Sequence, residues 1–224
     1  MTGQIKRIEK ISDIINTKKV FDIDIEISEE IEYLRQNISR SKIFDNIPDK
    51  KSASELIQKD STPPKWCRFL YKIIKSLRFH SCLELGTCLG FSSAYILAAL
   101  PSGGKLISIE GLEDRADIAR NNLKTLGFNN FKIYTGQFSQ VLPDILKNNK
   151  FDFVFIDGHH KEIPTLKYFD MIYPRLLDQS IIIIDDIHWP TEMKPAWDKI
   201  KKDDRVCRSY TLGKWGLCMI KKHT

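Results

Sequence analysis

From residue 61 onward the chain alternates two kinds of pattern. Apolar runs at 81–85, 105–109, 131–135, 151–156 and 180–184 are short and end in turn or polar residues, as buried strands do. Between them, 91–100, 113–126, 141–146 and 164–177 read as helices, and 191–202 adds one more after the fifth strand. Pro101-Ser102-Gly103-Gly104 stops the first of these helices and Gly127 the second. Segments 206–212 and 216–220 have no helix between them and read as a hairpin around Gly213. Repeated strand–helix alternation predicts a doubly wound α/β fold. Its sheet is seven-stranded and mostly parallel, with an antiparallel edge.

Residues 1–60 read as a helical N-terminal extension to a domain covering 61–224. Ile5, Ile8, Ile11, Ile14 and Ile15 recur at helical spacing, and Ser28 ahead of Ile31, Leu34 and Ile38 reads as the cap of a second helix. The acidic stretch 22–32 and the Lys50-Lys51 pair read as solvated surface. A lid over a site, a dimerisation arm and plain packing all fit this segment. Ser61-Thr62-Pro63-Pro64 reads as another helix start. Trp66, Phe69, Leu70, Ile73, Ile74 and Leu77 form one face of that helix, and Lys65, Arg68, Lys72, Lys75 and Arg78 the other. A basic amphipathic helix can meet RNA or a membrane. This one feeds directly into a buried strand, which favours packing on the sheet.

Composition narrows the class. Hydrophobic residues make up 42% of the 224, enough for a sizeable core, and no apolar run reaches the length of a membrane span. The first ten residues lack the apolar core of a signal peptide. The five cysteines are odd in number and contain no C-x-x-C pair, which reads as reduced thiols and a cytoplasmic location. The net charge is +6; residues 1–60 hold 11 basic and 12 acidic residues, so the whole excess lies in the remainder. It forms no continuous basic tail, and nucleic acid is disfavoured as a partner.

Candidate chemistry gathers where the predicted strands end. Gly86 and Gly90 bracket the turn after the first strand, and glycines let backbone approach a ligand. The helix start at Phe91 offers free N–H groups and a positive dipole end. Glu110, after the second strand, is placed to accept hydrogen bonds from ribose hydroxyls. The turn reads Glu84-x-Gly86-x-x-x-Gly90 and lacks the middle glycine of a dinucleotide-binding loop. Its carboxylate would repel a pyrophosphate and suit a cationic amino-acid ligand. Gly136 and Gln137 follow the third strand, Asp157, His159 and His160 the fourth, and Asp185, Asp186 and His188 the fifth.

If the fourth and fifth strands are neighbours, their terminal carboxylates crowd together. Two like charges 4 Å apart repel by roughly 4 kcal/mol at an effective dielectric of about 20. Protonating one acid, binding a divalent cation or turning the side chains into water would each relieve this. One aspartate could equally cap the next helix while another is solvated. A neutral imidazole three residues after Asp157, at His160, suits removal of a proton from a hydroxyl; His159 and His188 compete for that role or for metal ligation.

Glu84, Gly86, Gly90 and Glu110, in strand–turn–helix–strand order, resemble the first motifs of class I S-adenosylmethionine (SAM) dependent methyltransferases. Residues 62–220 are similar to the catechol and caffeoyl-CoA O-methyltransferase group, and the Asp-Asp-Ile-His-Trp run to bacterial methyltransferases of unassigned substrate. The resemblance implies a Rossmann-like fold and a methyl acceptor that is a small hydroxylated molecule, with a homodimer as an option. Glu84, Gly86, Gly90 and Ser92 would line the methionine portion of SAM, Glu110 would hold its ribose, and Gly136, Gln137 and Phe138 would border its adenine. Asp157 also falls among the cofactor-binding positions. The same resemblance implies a divalent ion, commonly magnesium, at Asp157, Asp185 and Asp186, although Asp186 stands where asparagine is usual. His160 falls where the catechol enzyme carries its catalytic lysine, which makes His160 and Asp157 the implied catalytic pair. A nucleic-acid methyltransferase and a non-catalytic SAM-binding module are the alternatives.

Overall fold

A computed structural model describes residues 2–16, 26–41 and 52–221. Lys50-Lys51, residues 22–25 of the acidic stretch and the side chain of Ile5 lie outside the described residues. Seven strands form one sheet in the order β3-β2-β1-β4-β5-β7-β6. They are β1 (Ser81–Leu85), β2 (Lys105–Glu110), β3 (Phe131–Thr135), β4 (Phe151–Ile156), β5 (Leu176–Ile184), β6 (Val206–Leu212) and β7 (Trp215–Ile220). The first five run parallel, and β7 pairs antiparallel with both β5 and β6. The strand order reverses between β1 and β4, the position where open α/β sheets form a crevice.

Helices cover both faces. They are α1 (Thr2–Asn16), α2 (Glu26–Ser39), α3 (Ala53–Glu55, continuing as a π turn through Asp60), α4 (Pro64–Leu77), α5 (Phe91–Ala99), α6 (Glu113–Thr125), α7 (Phe138–Asn148), α8 (Glu162–Ile172) and α9 (Met193–Ile200). One core layer joins α4, α5 and α6 to the sheet through Phe69, Ile73, Tyr95 and Leu123, and it also takes in Ile11, Ile31 and Leu56 of the N-terminal helices. The other layer holds Leu142, Phe169 and Trp197 of α7, α8 and α9. Each fully buried side chain of this size stabilises the fold by about 1.5–3 kcal/mol relative to leaving it in water. The basic helix α4 buries Trp66, Phe69, Leu70, Ile73 and Ile74. Trp66 and Phe69 meet Trp215 of β7 at ring-centroid distances of 4.7 and 5.9 Å. Among the described residues no helix is long and apolar enough to cross a membrane.

Several predicted boundaries move. Ser28 lies inside α2 rather than at its cap and is buried. The helix start read at Ser61-Thr62-Pro63-Pro64 falls at the last of these residues, with Pro63 extended before it as the N-cap and Pro64 the first helical position. Helix α7 starts earlier than 141 and ends later than 146. The helix expected over 164–177 ends at Ile172, where the Tyr173–Arg175 turn with Pro174 closes it, and Leu176 already pairs with Phe151 of β4. Helix α9 is shorter at both ends than 191–202.

Candidate active site

The parallel strands end level with one another, and backbone bonds carry the ladder just past their ends. Gly86 N–H donates to Ile109 O at 2.9 Å, Gly136 N–H to Glu110 O at 2.8 Å, Asp157 N–H to Leu85 O at 2.8 Å and Asp185 N–H to Ile156 O at 2.9 Å. Above this edge lies a cavity of about 590 Å³, within the range of small-molecule sites. Backbone strain clusters around it: Cys88, His159 and Asp186 are non-glycine residues at φ of 48°, 57° and 53°. Gly86 has φ 104°, and an added Cβ there would sit 1.9 Å from the Asp157 carbonyl oxygen. Only glycine allows β1 and β4 to close so tightly.

Of the residues predicted to hold a cofactor, Gly86, Ser92, Glu110, Gly136, Gln137, Phe138 and Asp157 line the cavity. Glu84 and Gly90 do not. Leu83 and Leu85 of β1 face the other layer, so strand alternation turns Glu84 toward α5. There its fully buried carboxylate accepts hydrogen bonds from Ser92 Oγ at 2.6 Å, Ser108 Oγ at 2.7 Å and Ser93 Oγ. Burial pushes its pKa up to about 7 against the pull of those three hydroxyls. Gly90 instead gives α5 its left-handed N-terminal residue at φ 83°, against Ala119 of α6.

Glu110 is held by the turn it faces. Cys88 N–H donates to Oε2 at 2.7 Å and Leu112 N–H to Oε1 at 3.2 Å. Burial raises its pKa, opposed by those backbone donors and by Arg115. A carboxylate has about four lone-pair sites, so these donors leave it capacity for a ligand hydroxyl.

Asp157, Asp185 and Asp186 do converge, because Ile156 of β4 and Ile184 of β5 are paired in register. Burial and the neighbouring Asp185 raise the Asp157 pKa well above the ordinary carboxylate value. Thr62 Oγ1 donates to Asp157 Oδ2 at 2.8 Å. Asp185 Oδ1 is buried with no donor from the protein, and a proton on Asp157 would provide one. Asp157, His160 and Asp185 each present a ligand atom within 4.8 Å of the others.

The three histidines separate. His159 Nδ1 bonds the Tyr168 hydroxyl at 2.8 Å, and His188 Nε2 bonds the Gly213 carbonyl at 2.7 Å. His160 faces the acids, with Nε2 3.8 Å from Asp157 Oδ1 and 4.0 Å from Asp186 Oδ2. Burial lowers its pKa although Asp186 and Asp185 pull the other way. Its ring lies 5.1 Å from that of Trp189, which is 52% exposed.

Two groups in the cavity wall lack any local sequence cue. Thr62, read as part of a helix start, is one. Lys214 in the β6–β7 turn is the other: its Nζ donates to Asp185 Oδ2 at 2.8 Å and lies 3.4 Å from Asp186 Oδ1. Burial pulls the Lys214 pKa down, but Asp185, Asp157 and Asp186 together outweigh it and leave it raised. The N-terminal segment reaches the same cavity through Lys59, Asp60, Ser61 and Thr62, with Asp60 paired to Arg115 of α6 at 3.2 Å. Arg35 of α2 backs this wall by donating to Thr62 O at 3.2 Å.

A family profile described as a methyltransferase domain matches residues 83–187. A catechol O-methyltransferase of Niastella koreensis is 28% identical over 130 residues, 57% of this chain and 58% of its own. A protein-L-isoaspartate O-methyltransferase of Methanopyrus kandleri is 34% identical over 130 residues, 58% of this chain and 53% of its own. The chain thus spans little more than half the length of these curated relatives. Among solved structures, an O-methyltransferase from Bacillus cereus in complex with SAH superimposes with a TM-score of 0.68 at 20% identity, covering 95% of this chain and 96% of that one.

Proposed function

We propose that this chain, which carries a class I SAM-dependent methyltransferase domain, transfers a methyl group to a hydroxyl of a small molecule. The observation that carries the reading is Glu110. A carboxylate at the end of β2, fixed by two backbone N–H groups and facing a cavity, suits the two hydroxyls of a ribose. Bound there, SAM would supply an electrophilic methyl group. Gly86 leaves the room for close backbone approach, and Gly136, Gln137 and Phe138 form the wall suited to an adenine. His160, neutral near pH 7 because its pKa is lowered, is the group we assign to remove the acceptor's proton. Asp157, tied to Thr62, lies beside His160, 3.8 Å from its Nε2. Trp189 beside His160 offers an apolar face to an acceptor. The five cysteines are all free thiols, and we assign the protein to the cytoplasm.

The resemblance to catechol-type enzymes brings a divalent ion with it. The donor set here fits one poorly, because a lysine ammonium already occupies Asp185 Oδ2 and lies beside Asp186. No step is therefore assigned to a metal. Calorimetry tests the reading: SAM should bind, NAD should not, and Glu110→Ala should weaken SAM by about tenfold or more. A protein that gives no heat with SAM, while urea unfolding shows it to be folded, refutes it.

A further inference from the structure

We propose that Lys214 is the resident cation of this site, held in the place between Asp185 and Asp186 that a divalent ion would otherwise take, so that the protein binds SAM and works without a metal. The inference rests on the methyltransferase reading only for what the site is used for; the cation assignment stands on geometry. Asp157, Asp185 and Asp186 bring three carboxyl groups to adjacent strand ends, and a positive charge held beside them offsets their repulsion. The ammonium of Lys214 does so, 2.8 Å from Asp185 Oδ2 and 3.4 Å from Asp186 Oδ1.

Its position is built in. Leu212 pairs with Trp215, so Gly213 and Lys214 are a two-residue hairpin loop, and Gly213 adopts φ 53°. An added Cβ at Gly213 would press on the Trp66 ring at 3.0 Å. Two bonds then staple this loop to the segment after β5: Ile187 N–H donates to Lys214 O at 3.0 Å, and His188 Nε2 bonds Gly213 O at 2.7 Å. The stapled segment is the one that carries Asp185 and Asp186. Loop and acids are therefore tied to each other, and the lysine side chain is two-thirds buried among them. A hard cation entering between the same carboxylates would have to displace the ammonium or sit against it, and like charges at that spacing repel.

Titration with Mn2+ as the probe, followed by calorimetry and by the manganese paramagnetic signal, tests this on the full chain. Wild type should bind Mn2+ no more tightly than about 1 mM, and Lys214→Gln and Lys214→Met should bind at least about tenfold more tightly. The variants gain because their carboxylates have lost the ammonium and take the ion in its stead. SAM affinity of the wild type should be the same in EDTA as in Mn2+. Stoichiometric, micromolar Mn2+ binding by wild type overturns the proposal, as do variants that bind no better than wild type. Should both variants fail to fold, the wild-type titration decides alone. Absence of SAM binding would count against the methyltransferase reading and not against the lysine; SAM binding together with tight Mn2+ binding would count against the lysine only.

Discussion

Glu84→Gln tests the buried carboxylate beneath the cavity. Glu84 is fully buried between β1, β2 and α5, and its pKa is about 7 against an ordinary 4.5. Between those two values the folded protein holds a proton that the unfolded chain has lost. Stability from this group is therefore complete below pH 4.5 and declines as pH rises through about 7. One pKa unit corresponds to about 1.4 kcal/mol, so the full window is worth about 3 kcal/mol. Glutamine keeps the shape, and its amide can still accept from one serine and donate to another, since hydroxyls do both. It removes the titration. Urea unfolding of wild type and Glu84→Gln at a series of pH values should give curves whose difference changes by about 3 kcal/mol between pH 4.5 and 8, with wild type losing ground as pH rises. Subtraction cancels the other titrating groups that the two proteins share. A flat difference, or one in which wild type gains with pH, would mean that the three serine hydroxyls outweigh burial and that the carboxylate is ionised throughout.

Two further outcomes follow from the geometry. Gly86→Ala would drive a Cβ into the Asp157 carbonyl at φ 104°, and urea unfolding should show a loss of about 2–4 kcal/mol together with loss of SAM binding; unchanged stability would mean that β1 and β4 are farther apart than described. The His160 ring should titrate by NMR with a midpoint below the ordinary 6.5, since burial outweighs Asp186 and Asp185, so its neutral form persists as pH falls; a midpoint above 6.5 would remove it as a base poised at neutral pH.

Much of this molecule was legible in one dimension. Apolar runs of strand length separated by helical patterns fixed seven strands and their mostly parallel sense, because burying both sheet faces demands that alternation. The acids at strand ends were legible too, since a parallel sheet brings all its carboxyl ends to one edge. Local sequence did not determine which of these acids reaches the cavity. Glu84 and Glu110 share one face of the sheet, since Glu84 is in register with Ser108, two residues before Glu110; yet Glu84 lies inside the strand under α5 in a nest of three serines, and Glu110, at the strand's end, reaches the cavity wall. Partners far along the chain were beyond any local pattern. Thr62 reaches Asp157 across 95 residues, and Lys214 reaches Asp185 across 29. No periodicity records such contacts, because they exist only once the N-terminal wall and the β6–β7 hairpin have closed over the sheet edge. The sequence by itself determined the sheet and assembled the negative charge; the tertiary fold decided which cation answers it.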